Sequence, residues 1–292
     1  SIMSQLFCFG LGYTALRLAR VLLAGGWKVA GTSSTADGCA ALSAERIQPF
    51  RFGSDHPLED SPALAGATHI LTSVPPDDGG DPVLRHHGAP IGALSGLQWV
   101  GYLSATSVYG DTGGGWVDET TACAPTTDRG RGRDAAEAEW LARFGDTGLP
   151  VHIFRLAGIY GPGRSALDQI RSGRARRIDR PDHLFSRIHV DDIVAVLQAS
   201  MARADPGTIY NVCDDAPAAS ADVVAFAAEL LGADPPPLVA FEDAGLSPMA
   251  RSFYADNRLV SNKRIKTNLG VTLRYPDFRT GLRRVLEQES AG

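Results

Sequence analysis

Three observations predict an α/β fold built on a doubly wound parallel sheet. Apolar strand-like runs alternate with amphipathic helical runs over the first two thirds of the chain. A glycine turn, Gly10-Leu-Gly12, stands between the first strand and the first helix. A second strand, Trp27 to Ser33, follows at the distance of a βαβ unit.

The elements follow in order. Leu6–Phe9 is strand, 14–24 helix, Lys28–Thr32 strand, 36–45 helix, Pro49–Phe52 strand and His69–Val74 strand. A helix near 82–97 leads to strand Trp99–Ser104. Helix Arg133–Phe144 then leads to Val151–Leu156, and helix Asp191–Met201 to Thr208–Val212. About seven strands result, with right-handed crossovers expected. Residues 1–157, continued by 187–213, therefore form the expected dinucleotide-binding Rossmann domain. Residues 158–186 and 214–292, with short helices and the spacer Pro235-Pro236-Pro237, form a small C-terminal substrate lobe over the strand ends.

Bulk properties narrow the function. The chain has 292 residues, 44% hydrophobic content and a net charge of −5. No apolar run is long enough to span a membrane, and a net negative charge gives no general attraction to nucleic acid or anionic lipid. Ser1-Ile2-Met3 has no basic region followed by an apolar stretch, so a cytoplasmic location is expected. Cys8, Cys39, Cys123 and Cys213 are scattered without a C-x-x-C pair, which argues against zinc and disulfides. Arg171, Arg174, Arg176, Arg177 and Arg180 read as a solvated helix end rather than an anion patch.

The chemistry starts at the glycine turn. Gly10 permits a tight turn, Gly12 lets backbone N–H groups approach a pyrophosphate, and small Ala15 allows close helix packing. Tyr13 and Thr14 open the helix whose N-terminus would hold the phosphates. The second strand ends Thr32-Ser33-Ser34, with no carboxylate before Asp37 to hold a ribose 2′-OH. NADP is therefore expected over NAD, Ser33 and Ser34 being its donors; alternatively they cap the helix 36–45. Val74-Pro75-Pro76-Asp77 ends the fourth strand as a rigid turn over the cofactor crevice, or as a simple strand terminator.

Four segments carry a resemblance: Gly10-x-Gly12-x-x-Ala15, Tyr102-Leu-Ser104-Ala-Thr-Ser-Val-Tyr109-Gly110, Phe154-Arg-Leu-Ala-Gly-Ile-Tyr160-Gly161-Pro162-Gly163, and Ser186-Arg-Ile-His189-Val-Asp191-Asp192. In this order they resemble the extended short-chain dehydrogenase/reductase family, the NAD-dependent epimerase/dehydratase group, and within it the atypical members. The resemblance implies hydride transfer on a nicotinamide cofactor, with a Ser or Thr, a Tyr and a Lys as catalytic residues. The positions it assigns to them hold Ala105, Arg129 and Arg133. An arginine stays protonated and cannot replace the tyrosine as acid/base. Gly158 and Phe185 depart from the family pattern for nucleotide sugars.

Tyr109 and Thr106 remain as weak catalytic candidates, although a strand-end tyrosine more often packs with its hydroxyl bonded. Ser104 and Arg133 are placed near the cofactor. Tyr160, Arg164 and Arg187 are the substrate candidates, two of them cationic, so a small or medium-sized anionic substrate is expected. His189, Asp191 and Asp192 open a helix and lack a third ligand, so no metal is expected. The leading expectation is an NADP-dependent oxidoreductase or epimerase with a non-standard acid/base. The alternative is a non-catalytic NADP(H)-binding sensor.

Overall fold

The computed structural model describes residues 3–291; the expectation drawn from Ser1 and Ile2 lies outside them. Its largest element is a seven-stranded sheet in the order β11-β7-β5-β4-β1-β2-β3. The strands are β1 (Gln5–Phe9), β2 (Lys28–Ser33), β3 (Gln48–Arg51), β4 (His69–Thr72), β5 (Trp99–Ala105), β7 (Val151–Leu156) and β11 (Ile209–Val212). Pairs β1–β2, β2–β3, β1–β4 and β4–β5 are parallel. The helices between them are α1 (Tyr13–Ala24), α2 (Ala36–Ala44), α3 (Pro62–Ala65), α4 (Pro82–Gly92), α5 (Asp128–Thr147) and α7 (Val190–Ala202). This is a Rossmann-like α/β fold, as the alternation of elements predicts. Most of β1, β4, β5 and β7 is buried, the pattern of strands covered on both faces.

The chain divides into two compact units. The first comprises Ser1–Ala105, Asp128–Arg155 and Val194–Tyr210; the second Thr106–Thr127, Leu156–Ile193 and Asn211–Gly292. Residues 106–127, expected in the first domain, group with the second unit. The reason is pairing: β6 (Trp116–Val117) lies within them and forms a two-stranded parallel sheet with β13 (Leu259–Val260). Two more such pairs join β8 (Gly158–Tyr160) to β10 (Arg187–His189), and β9 (Arg177–Asp179) to β12 (Leu238–Ala240). The second unit also carries α6 (Ala166–Arg171), α8 (Ser220–Leu230), α9 (Pro248–Ala255), α10 (Lys263–Leu269) and α11 (Phe278–Ala291).

In the first unit the core gathers Phe7, Phe9, Ile70, Tyr102, Trp140 and Ile153. Trp140 donates its indole N–H to Asp81 Oδ2 at 3.1 Å, while Asp81 caps α4 by accepting from Leu84 N at 3.0 Å. Two helices differ from expectation. The helix from Pro82 ends at Gly92, just past Pro90, not near 97. Helix α5 starts at Asp128, five residues early, because Gly130 packs into the interior despite its low helix propensity.

A buried ion pair ties α5 to β7. Arg155 donates to Glu137 at 2.8 and 3.1 Å, and Ser104 Oγ adds a bond to Glu137 Oε2 at 2.5 Å. Glu137 and Arg155 are only 2% and 3% exposed. Removing one partner strands the other charge in a low-dielectric interior. Glu137→Ala is therefore expected to lower stability by about 3–5 kcal/mol in urea unfolding. A loss below about 1 kcal/mol would contradict this reading, since that is the range of an exposed pair.

Candidate functional site

Gly10 leaves β1 with φ +82°, in the left-handed region open to glycine. Its N–H donates to Thr32 Oγ1 at 2.8 Å, and a Cβ there would lie 2.8 Å from Ser73 Oγ. Gly12 is the N-cap of α1. A Cβ on Gly12 would meet no atom of the chain within 4 Å, so it faces open space beside the helix N-terminus. That space is a cavity of about 670 Å³, lined by the strand ends 10–12, 32–34, 52–54 and 73–77. Ligands of open α/β sheets bind at these carboxyl ends.

The expected cofactor residues of the first unit take different roles. Gly10, Gly12, Thr32, Ser33, Ser34, Val74 and Pro75 all line the cavity. Thr32 is buried with its hydroxyl engaged by Gly10 N, so it fixes the turn. The alternative in which Ser33 or Ser34 caps α2 gives way to Thr35, whose side chain accepts from Gly38 N at 2.9 Å. Thr14 is buried in the first turn of α1, and Tyr13 lies under the Arg17 guanidinium, 6.0 Å from its ring centroid.

Ser104 is buried and bonded to Glu137. Arg133, at the family's lysine position, donates to Tyr102 Oη and Leu103 O at 3.1 Å each. Burial holds the Tyr102 phenol up at about 12. Ala105 ends β5, and Arg129 is exposed in the first turn of α5.

In the second unit Tyr109 and Thr106 share a 3-10 turn, Thr106–Tyr109, and both are buried. Tyr109 is 1% exposed, and its hydroxyl donates to Asn211 Oδ1 at 2.6 Å. Asn211 is itself held by Glu119 and Ser261. Tyr160 belongs to a core cluster with Leu167, Phe226 and Phe278, and burial pushes its phenol above the usual range. Arg164 is exposed and closes a turn through paired backbone bonds with Gly161.

Arg187 donates to Phe185 O at 3.1 Å and to Ala218 O at 3.0 Å; burial lowers its pKa. Asp214 N donates to Arg187 O at 2.7 Å, and burial raises the Asp214 carboxyl to about 7. The arginine run makes structural contacts: Arg171 pairs with Glu289 at 2.6 Å, and Arg180 lies 3.9 Å from the Phe241 ring centroid. His189 Nδ1 accepts from Asp191 N at 3.0 Å, and Asp192 takes the N–H groups of Arg274 and Tyr275. Among the described residues no group of three or more His, Cys, Asp or Glu could hold a metal ion.

Sequence reasoning missed Leu42, Phe52, Ser54 and Ser73, which also line the cavity. The position of 52–54 just after the third strand was the signal that could have found three cavity residues.

Protein YeeZ of Escherichia coli K12 is 30% identical over 94% of this chain and 97% of its own length. The chain belongs to the YeeZ family. No family model matches it. A solved structure from Silicibacter pomeroyi, described as a functionally unknown conserved protein, is 50% identical over 98% of this chain and 99% of that one, with TM-score 0.91. A 3-diazoavenalumate denitrifying reductase from Streptomyces is 30% identical over 52% of each chain. The dTDP-glucose 4,6-dehydratase of Bacillus anthracis, solved with NAD, shares the fold at 15% identity over 99% of this chain and 97% of that one, with TM-score 0.75.

The NADP expectation is corrected by this comparison. Five of the similar solved structures are described with NAD. Among the described residues lining the cavity none is arginine or lysine, and its two carboxylates, Glu45 and Asp77, are paired with Arg20 and Arg85. For membrane association, no helix among the described residues is long and apolar enough to cross a bilayer.

Two outcomes follow from the second unit. Tyr109→Phe is expected to cost about 1 kcal/mol of stability, the worth of one buried hydrogen bond, as measured by thermal unfolding. Unchanged stability would contradict the Asn211 tie. For Asp214, the folded-state pKa near 7 lies above the usual carboxylate value, so the folded protein binds the extra proton between them. Its contribution is fully present below about pH 4 and is lost as pH rises to about 7. Asp214→Asn should remove that part of the pH dependence. Parallel stability curves for the two proteins would refute it.

Proposed function

We propose that this chain binds NAD on the Gly10–Gly12 turn and serves as an oxidoreductase of a small molecule. The observation that carries the reading is the cavity of about 670 Å³ at the carboxyl edge of the sheet, into which Gly12 and the N-terminus of α1 face. Backbone N–H groups at a helix N-terminus suit a pyrophosphate, and the volume lies within the range of cofactor sites. The 32–34 and 52–54 strand ends would hold the adenosine half, and Val74 and Pro75 the other rim.

Bound NAD supplies hydride exchange at its nicotinamide ring. The chain's own residues restrict the reaction. Arg129 and Arg133 offer positive charge and hydrogen bonds but no proton exchange near neutral pH. Tyr109 is committed to Asn211. A simple reduction of an electrophilic substrate, with the proton taken from water, fits these residues better than an epimerisation that needs a tyrosinate. The partial likeness to a reductase supports the same direction.

Calorimetric titration with NAD and NADH tests the reading. Wild type should bind, and Gly12→Val should lose binding with an unchanged thermal transition, because the side chain would fill the pyrophosphate's approach. Unchanged affinity in Gly12→Val would overturn it. The loss of the triad also favours a second reading, a dinucleotide sensor. NAD binding without NADH oxidation across a panel of electrophilic metabolites would select that one.

A further inference from the structure

We infer that Arg85 is a positioning residue for the dinucleotide cavity, its guanidinium stapling the turn after β3 to the turn after β4. The inference rests on the NAD reading above. Arg85 lies in α4 and acts through two residues that do line the cavity, Asp77 and Ser54. Its two terminal nitrogens donate to the two carboxylate oxygens of Asp77 at 2.8 and 2.9 Å, a planar fork. The second nitrogen also reaches Ser54 O at 3.4 Å. His86 Nε2 donates to the same carbonyl at 2.7 Å.

Asp77 is in turn fixed to its own loop. Its Oδ1 accepts from Gly79 N at 2.8 Å, and the backbones of Asp77 and Gly80 exchange two bonds of 3.0 Å. Gly79 makes room for the fork, since a Cβ there would lie 2.6 Å from Arg85 Nη1. Residues 53–54 and 75–77 follow the last bonds to the sheet, Phe52 N to Ser33 O and Ser73 N to Phe9 O at 3.0 Å each. His86 anchors the turn after β3 to α4, and Arg85 is the side chain that joins that turn to Asp77 in the turn after β4.

The affected end is the adenosine end. A pyrophosphate on α1 puts the ribose at the end of β2, and β3 is the strand beyond β2. An exposed pair contributes little to overall stability, and Arg85 is one-third exposed. Its effect belongs in affinity, because ordering two loops in advance removes a cost from binding.

The test titrates NAD and ADP-ribose into wild type, Arg85→Ala, Arg85→Lys and Asp77→Asn, with hydrogen exchange of the ligand-free proteins alongside. Arg85→Ala should raise both dissociation constants by the same factor, about ten-fold, the worth of losing one preorganised charged contact. Arg85→Lys, a point charge without the fork, should recover part of the loss. Exchange in 53–56 and 75–80 should quicken together in Arg85→Ala while the thermal midpoint holds. Wild-type affinity in Arg85→Ala, or exchange that quickens in only one segment, would overturn the staple. If wild type binds neither ligand, the NAD reading fails by itself, and the exchange result still decides whether Arg85 couples the two turns.

Discussion

Three strand ends meet at one residue, Gly10. Gly10 N–H donates to Thr32 Oγ1 at the end of β2, and the positive φ of Gly10 turns the chain that follows towards α1. Ser73, just past β4, closes the other side with its hydroxyl 3.2 Å from Gly10 O. Any side chain at Gly10 would strain the backbone and collide with Ser73. The position of Gly12, the direction of α1 and the mouth of the cavity all follow from this junction. It also explains why Thr32 serves the turn, leaving Ser33 and Ser34 as the polar rim.

Much of this fold was legible in the sequence because buried parallel strands write near-continuous apolar runs. Phe7 and Phe9 in β1, or Ile70 and Leu71 in β4, admit few alternatives once a glycine turn and an amphipathic helix follow. The parts that escaped notice lack such a signature. Strands β6 and β13 are two residues each, and their pairing is set by contacts far apart in sequence. Helix α5 begins in a run of arginines and glycines that has no periodic apolar face. Pro90 hides the end of α4 for the opposite reason, since a proline within a helical pattern does not show where the last turn will close.

The candidate site divides along the same line. The glycine turn and the ends of β2 and β4 were recognisable because their residue types have a stereochemical duty. Phe52 and Ser54 were not, because their duty depends on where a strand ends. Tyr109 shows the converse. Its partner is not visible in the sequence, yet its hydroxyl donates to Asn211 Oδ1, 102 positions later. Ser104 is similar, with Glu137 absorbing its hydroxyl. Charged and hydroxyl side chains at strand ends are thus largely spent on holding structure. What remains for a ligand in the first unit is backbone N–H, short hydroxyls and apolar walls, a composition suited to gripping a dinucleotide.

The central claim is that the Gly10–Gly12 turn and the N-terminus of α1 hold the pyrophosphate of NAD. A crystal structure of the protein grown with NAD tests this most directly. The account predicts the pyrophosphate against the backbone N–H groups of the first turn of α1, with the adenosine half along the ends of β2 and β3. NAD bound elsewhere on the chain, with the Gly12 cavity filled only by solvent at saturating NAD, would contradict it.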